Sequence, residues 1–211
     1  MWLYFTTKMA YILQDPTIFD IQINPFDAYY LSVGNGIFKS HSVSPTIRWL
    51  ISNNLGEQNL MDQAAETSNV ETVQYLHEKG LLWDEETCLL ATIEGRLDIL
   101  KYLHENGCPW YEWTCEMAAG NGHLDCLIYA HENGCPWSIY TCRDVAIGGH
   151  LNCLIYAHEN GCPWDEFTCS LAARYGHLDC LRYAHKNGCE WDEETCREAA
   201  FNGHLDCLDH L

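Results

Sequence analysis

Basic residues are scarce in this chain. Over 211 residues, 11 Lys and Arg stand against 30 Asp and Glu, for a formal charge of −19 and a sequence pI near 4.7. Phosphate recognition needs a basic face that releases counterions, so nucleic acid is excluded as a partner. Docking on anionic lipid is disfavoured for the same reason. No apolar run is long enough to span a bilayer, so no membrane role is expected. The apolar stretch at residues 2–13 is broken by Thr6, Thr7 and Lys8 and has no small-residue cleavage site, so it does not read as a signal peptide. Cysteine is absent before Cys88, and all thirteen cysteines lie from there onward. An odd count without an export signal points to free thiols in a reducing compartment, hence a cytoplasmic location. With 47% hydrophobic and 19% charged residues, the chain can build packed units and is not expected to be disordered.

What the chain does have is a period. Trp83, Trp110, Trp137, Trp164 and Trp191 are 27 residues apart each time. Gly80, Gly107, Gly134, Gly161 and Gly188 keep the same interval, as do His77, His104, His131, His158 and His185. A fainter copy precedes them, with Ala64, Ala65, Val70, Val73, Tyr75 and Leu76 in the slots of Ala118, Ala119, Leu124, Leu127, Tyr129 and Ala130. Residues 47–55 read as half of a still more divergent unit. This divides the chain into a non-repeat region at residues 1–45, a possible cap for the array, and a repeat array at residues 46–211.

Residues 165–191 show the anatomy of one unit. Asp165 or Thr168 is placed to cap a helix, and Cys169, Ala172 and Ala173 follow at the i, i+3, i+4 spacing of one buried face. Gly176 ends that helix. A second helix begins near His177, carries Leu178, Cys180, Leu181 and Ala184 as its apolar stripe, and stops at Gly188. Helices this short are not stable alone, and each apolar face needs a neighbour, which is the physics of a solenoid. The fold class expected is all-α: an elongated stack of helix-turn-helix units.

The run Ala118-Ala119-Gly120-Asn121-Gly122-His123-Leu124-Asp125-Cys126-Leu127 resembles the Ala-Ala-x-x-Gly-His-Leu-Glu-x-Val core of ankyrin repeats, and it returns at residues 172–181 and 199–208. The resemblance covers residues 57–211. Ankyrin repeats run to about 33 residues, whereas these have 27. The missing residues fall where the family places its β-hairpin finger, so the resemblance implies that fingers are largely absent. It also implies protein-protein interaction without catalysis. The His-Glu-Asn-Gly-Cys-Pro-Trp version is similar to ankyrin-like proteins of large DNA viruses of protists and of their hosts, which would put a viral member in the host cytoplasm.

The cysteines fall into three slots, and each slot accepts a plain hydrophobe in the early units: Met61, Ile99 and Leu81. Cys126, Cys153 and Cys180, with the five repeated tryptophans, are therefore expected in the structural core. The tryptophan indole N–H would want a backbone acceptor. No close C-x2-C pair occurs, and equivalent cysteines in adjacent units are expected about 10 Å apart, too far for a disulfide. No metal ligand and no cofactor is expected, His131 and Cys135 being the best remaining metal candidates. Several near-equivalent copies of each Cys and His argue against a unique catalytic constellation. His77, His104, His131, His158 and His185 are expected to serve the last carbonyls and dipole of the second helix. His123, His150, His177 and His204 follow a glycine, and the family's histidine there ties the turn to the following helix.

Binding belongs where the units differ. The variable rows are Ile93, Gly120, Ile147, Arg174 and Phe201, with Glu94, Asn121, Gly148, Tyr175 and Asn202 beside them, and the start of the first helix, which holds Trp113, Tyr140 and Phe167. Trp113, Tyr140, Phe167, Arg174, Tyr175 and Phe201 are the candidate partner-binding residues. Some of these aromatics could instead simply pack against the helix start. Leu205, Leu208 and Leu211 leave an apolar stripe uncovered at the end of the array, which admits self-association there, a partner, or a longer array. Two functions are consistent with these features: a scaffold for an unidentified protein partner, or a metal-binding or redox-responsive protein that uses its Cys and His ladder.

Overall fold

The computed structural model describes Ile51 and residues 60–211. The non-repeat region 1–45 and, Ile51 apart, the half-unit at 47–55 lie outside the described residues. Among the described residues there are twelve helices and no strand: α1 Leu60–Thr67, α2 Val70–Glu78, α3 Glu85–Ile93, α4 Leu97–Glu105, α5 Glu112–Gly120, α6 Leu124–Glu132, α7 Ile139–Gly148, α8 Leu151–Glu159, α9 Glu166–Arg174, α10 Leu178–Lys186, α11 Glu193–Phe201 and α12 Leu205–His210. Odd-numbered helices are the first of each unit and even-numbered ones the second. Each first helix packs on its own second helix and on the first helices before and after it, and the second helices stack likewise. The all-α stack of helix pairs without hairpin fingers is therefore the architecture of these residues.

Small side chains make the stacking close. Cys115, Ala118 and Ala119 of α5 are fully buried, as are Cys142, Val145 and Ala146 of α7 and Cys169, Ala172 and Ala173 of α9. On the second helices the buried stripe is Cys126, Leu127 and Ala130 on α6, and Cys153, Leu154 and Ala157 on α8. Each buried leucine contributes roughly 2 kcal/mol by removal from water, a gain that exists only once the neighbouring unit is in place.

Local chemistry closes the helix ends. Asp84, Ser138 and Asp192 form capping boxes with Thr87, Thr141 and Thr195. Asp165 does not cap α9 with its side chain, contrary to the sequence-based expectation. At the other end of the second helices, Cys135 N–H bonds to Ala130 C=O while Gly134 takes φ +83°, the closing geometry of a left-handed glycine cap. The side-chain amide of Asn133 donates to the Tyr129 carbonyl at 2.8 Å, and Asn106, Asn160 and Asn187 repeat that bond. Helix-end carbonyls are thus served by backbone and asparagine. The histidines of the last turn have another task.

His77, His104, His131 and His158 each share a hydrogen bond through Nδ1 with the hydroxyl of a tyrosine one unit on, Tyr102, Tyr129, Tyr156 and Tyr183, at 2.8 to 3.0 Å. His104, His131 and His158 also lie stacked on Trp110, Trp137 and Trp164 at 3.7 to 3.9 Å. These tryptophans meet the next unit's tyrosine edge-on. All five repeated tryptophans are half-buried, one tier further out than a core position. No indole N–H donates to a backbone acceptor among the described residues.

A second histidine row links units by a different route. His123 Nε2 donates to the Ile93 carbonyl at 2.8 Å and His177 Nε2 to the Ile147 carbonyl at 2.9 Å. The tie therefore runs back to the end of the preceding unit's first helix, where an orphan carbonyl needs a donor. The imidazole occupies the space above a left-handed glycine: a Cβ on Gly122 would lie 2.5 Å from His150 Nδ1. Gly134 has the same positive φ but nothing within 4 Å of its missing Cβ.

Two outcomes follow for stability. Gly134→Ala is expected to cost about 1 kcal/mol, the strain of a left-handed alanine alone. Gly122→Ala must also displace His150 and is expected to cost about 3 kcal/mol, a difference that urea denaturation of the two variants measures. Burial, with His123 and His177 nearby, holds the His150 imidazole below its ordinary 6.5. The native state then favours neutral His150, so the unfolded chain takes the proton first as pH falls below 6.5, and stability present above that value is lost. Melting temperature should drop more between about pH 7.5 and pH 5.5 in the native chain than in His150→Gln, which retains a donor but no titrating ring.

Candidate functional site

The variable positions converge on the exposed side of the first helices. Trp113, Tyr140 and Phe167 each occupy the second residue of their helix, α5, α7 and α9, and are 55%, 55% and 48% exposed. Their equivalents in the flanking units are Glu86 on α3 and Glu194 on α11, so the aromatic row is confined to three consecutive units. Further along, Ile147 on α7, Arg174 at the end of α9, Tyr175 just after it and Phe201 at the end of α11 are also exposed, Phe201 at 88%. Of the other variable positions, Ile93, Gly120 and Gly148 are half-buried.

Ionic and cation-π contacts organise this row. The Arg143 guanidinium lies 5.3 Å from the Tyr140 ring centre and 4.5 Å from that of Phe167, and it pairs with both carboxylate oxygens of Asp165. This hydrogen-bonded pairing raises the already high pKa of Arg143 and ties α7 to the start of α9. Asp165 consequently gives up its role as helix cap, and Thr168 Oγ1 is left buried without a partner. Holding two aromatic rings on either side of one guanidinium is worth roughly 0.5–1 kcal/mol per ring at an exposed site. Tyr111, 5.9 Å from Trp113, donates its hydroxyl to the Glu85 carboxylate and so holds that carboxyl below its usual range. Arg174 lies 5.9 Å from the Tyr175 ring centre and 3.6 Å from a Glu198 oxygen.

Arg143 and Asp165 organise the face, although neither is among the candidate partner-binding residues that the sequence suggests. The available signal was the row Leu89, Glu116, Arg143, Ser170 and Arg197, which varies as freely as those selected. What it lacked was the neighbour: Asp165 sits 22 residues away, at a separation with no meaning until the units are stacked.

The cysteines are placed otherwise. Cys126, Cys153 and Cys180 are about 1% exposed, and burial pushes their thiols up to about 11, 11 and 12. Cys108, Cys135, Cys162 and Cys189 donate Sγ–H to the carbonyls of Asp84, Tyr111, Ser138 and Asp165 at 3.1 to 3.3 Å. These thiols bridge consecutive inter-unit loops, where a hairpin finger would otherwise stand. Cys115 Sγ also lies 3.6 Å from the Cys135 carbonyl, so cysteines of two different slots come close in space although no close pair exists in sequence. His131 is engaged by Tyr156 and Trp137, and Cys135 by Tyr111. Among the described residues no group of three or more His, Cys, Asp or Glu is arranged to hold a metal ion. No described helix is long and apolar enough to cross a membrane.

No protein-family model matches the chain. Nor does any curated protein match it by sequence. The fold is similar to the crystal structure of the human ASB11 ankyrin repeat domain, with a TM-score of 0.61 and 16% identity over 71% of this chain and 80% of that one. The described residues have the ankyrin-repeat fold. They reach it with 27-residue units, and the loop thiols and asparagine caps do the work of closing each turn.

Burial makes a reactivity pattern measurable. Twelve of the thirteen cysteines are buried, and Cys196 alone is half-buried. Brief alkylation of the native protein followed by mass spectrometry is expected to label Cys196 first, with the other thiols reacting only after denaturation.

Proposed function

We propose that this chain is a non-catalytic scaffold that binds a protein partner through the exposed face of its first helices. The observation that carries the reading is the row Trp113, Tyr140 and Phe167: large aromatics exposed on three consecutive units and replaced by glutamates on either side. Soluble chains rarely expose such a contiguous apolar patch without using it, and aromatics supply much of the energy at interfaces. Arg174, Tyr175 and Phe201 extend the same face. The short His-Glu-Asn-Gly-Cys-Pro-Trp unit resembles that of ankyrin-like proteins of large DNA viruses of protists and of their hosts, and the resemblance supports action in the cytoplasm, or in the host cytoplasm for a viral member. Support for a catalytic or metal-dependent alternative is lacking, since the thiols sit in loops and core, the repeated histidines before His185 are engaged by tyrosine and tryptophan, and His185 and His210 pair with each other without a third ligand among the described residues.

The test is affinity capture from the native cell with the intact chain and with a variant carrying Trp113→Ala, Tyr140→Ala and Phe167→Ala. Partner binding is expected to weaken about 100-fold or more. Melting temperature should hold to within a few degrees, because these side chains are about half exposed. Equal recovery by both proteins would remove the proposed face.

A further inference from the structure

One carboxylate on this face stands apart from the others. Asp144, on α7, is half-buried, and no hydrogen bond or ion pair joins its side chain to any described residue. At the equivalent position the adjacent first helices carry Met117 and Leu171, so the surroundings are those of an apolar column. Burial accordingly pushes the Asp144 carboxyl above its ordinary range. Gly120 on α5 has no side chain, and a Cβ there would lie 3.1 Å from Asp144 Cβ. Gly148, one turn after Asp144, approaches the Gly120 carbonyl so closely that a Cβ would collide with it. Two glycines thus let the backbones of α5 and α7 come together next to a lone, partly desolvated carboxylate, with exposed Tyr140 one turn before it and exposed Ile147 three residues on.

No cation of this face is available to it. The first helices carry eleven acidic residues and three basic ones, Arg143, Arg174 and Arg197. All three are engaged, by Asp165, Glu198 and Glu194. A desolvated carboxylate without a counter-charge costs stability, and a cation from outside removes that cost.

We infer that Asp144 is the receptor for a lysine or arginine of the partner, so that the occupant of this face is a protein segment carrying a basic residue beside an apolar one. The basic residue reaches the carboxylate beside exposed Tyr140 and Ile147, and its apolar neighbour lies on the Trp113, Tyr140 and Phe167 row. This rests on the binding face proposed above, and adds the chemistry of what binds there. The acidic excess of the array favours the same partner at long range.

The probe is a random peptide library displayed on phage and selected on the intact protein, followed by synthetic peptides of the enriched sequence. The expected consensus holds a Lys or Arg next to an apolar residue. Asp144→Asn should weaken the peptide about tenfold or more, and replacing the peptide's basic residue with Gln should cost as much. In Asp144→Asn that second replacement should cost nothing further, since the pair is already broken. Asp144→Leu should abolish the preference for a basic residue while raising the melting temperature, as it matches Met117 and Leu171. Peptides that lose binding to the triple aromatic variant but lack a basic residue, or whose losses with Asp144→Asn are additive, overturn the inference and leave the face standing. Lowered melting temperatures for both Asp144 variants would make the residue structural and overturn it too. An enrichment indifferent to the aromatic row, or no enrichment at all, overturns face and inference together.

Discussion

The left-handed glycines that end the first helices set the distance between successive units, and most of the remaining structure follows from that distance. Only a residue without a Cβ leaves room for the imidazole that arrives from the next unit, as at Gly122 under His150. From that position His123 and His177 reach the last carbonyls of the helices before them. The same register brings the buried alanines and cysteines of consecutive first helices into contact and sets each second-helix histidine opposite a tyrosine of the following unit. Alter that spacing and the two ladders lose their partners together.

The structure divides its labour between two sides. Along the second helices, His, Trp and Tyr repeat with little change because each is held by the copy before and after it. The first-helix side is under no such demand at its outer positions, and there the units diverge. Shortening the repeat to 27 residues removes the hairpin finger and leaves the helix starts as the most prominent feature of that side. Trp113, Tyr140 and Phe167 stand exposed there. The thiols of Cys108, Cys135, Cys162 and Cys189, which bond across the shortened loops, are part of how the chain manages without one.

Charge has a different meaning on each side. Of the 30 acidic residues, 22 lie from Asp84 onward with only 7 of the 11 basic ones, which is −15 of the total −19. Most of these carboxylates are solvated and serve helix starts, where they complement the dipole. Asp165 trades that service for Arg143, at the cost of an unpartnered threonine, and the trade holds two aromatic rings in place. Asp144 serves nothing within the described chain, and a side chain kept at such a cost is most simply understood as an element of recognition.

The sequence by itself determined the period, the pairing of short helices and the identity of the buried slots, because each depends on residues within one unit. A stripe at i, i+3, i+4 or a glycine after a helix carries its meaning locally. The same local evidence points His131 to the carbonyls of its own helix end, but Asn133 and backbone N–H groups already serve those carbonyls and Tyr156 is the partner of His131. That pairing joins residues 25 positions apart, the Arg143 pairing 22 and the His123 tie 30. Such separations acquire meaning only when the rise and rotation between units are set by the close approach at glycine. The tertiary structure alone therefore decided which rings share a guanidinium, which thiols meet a carbonyl, and which carboxylate is left without a cation.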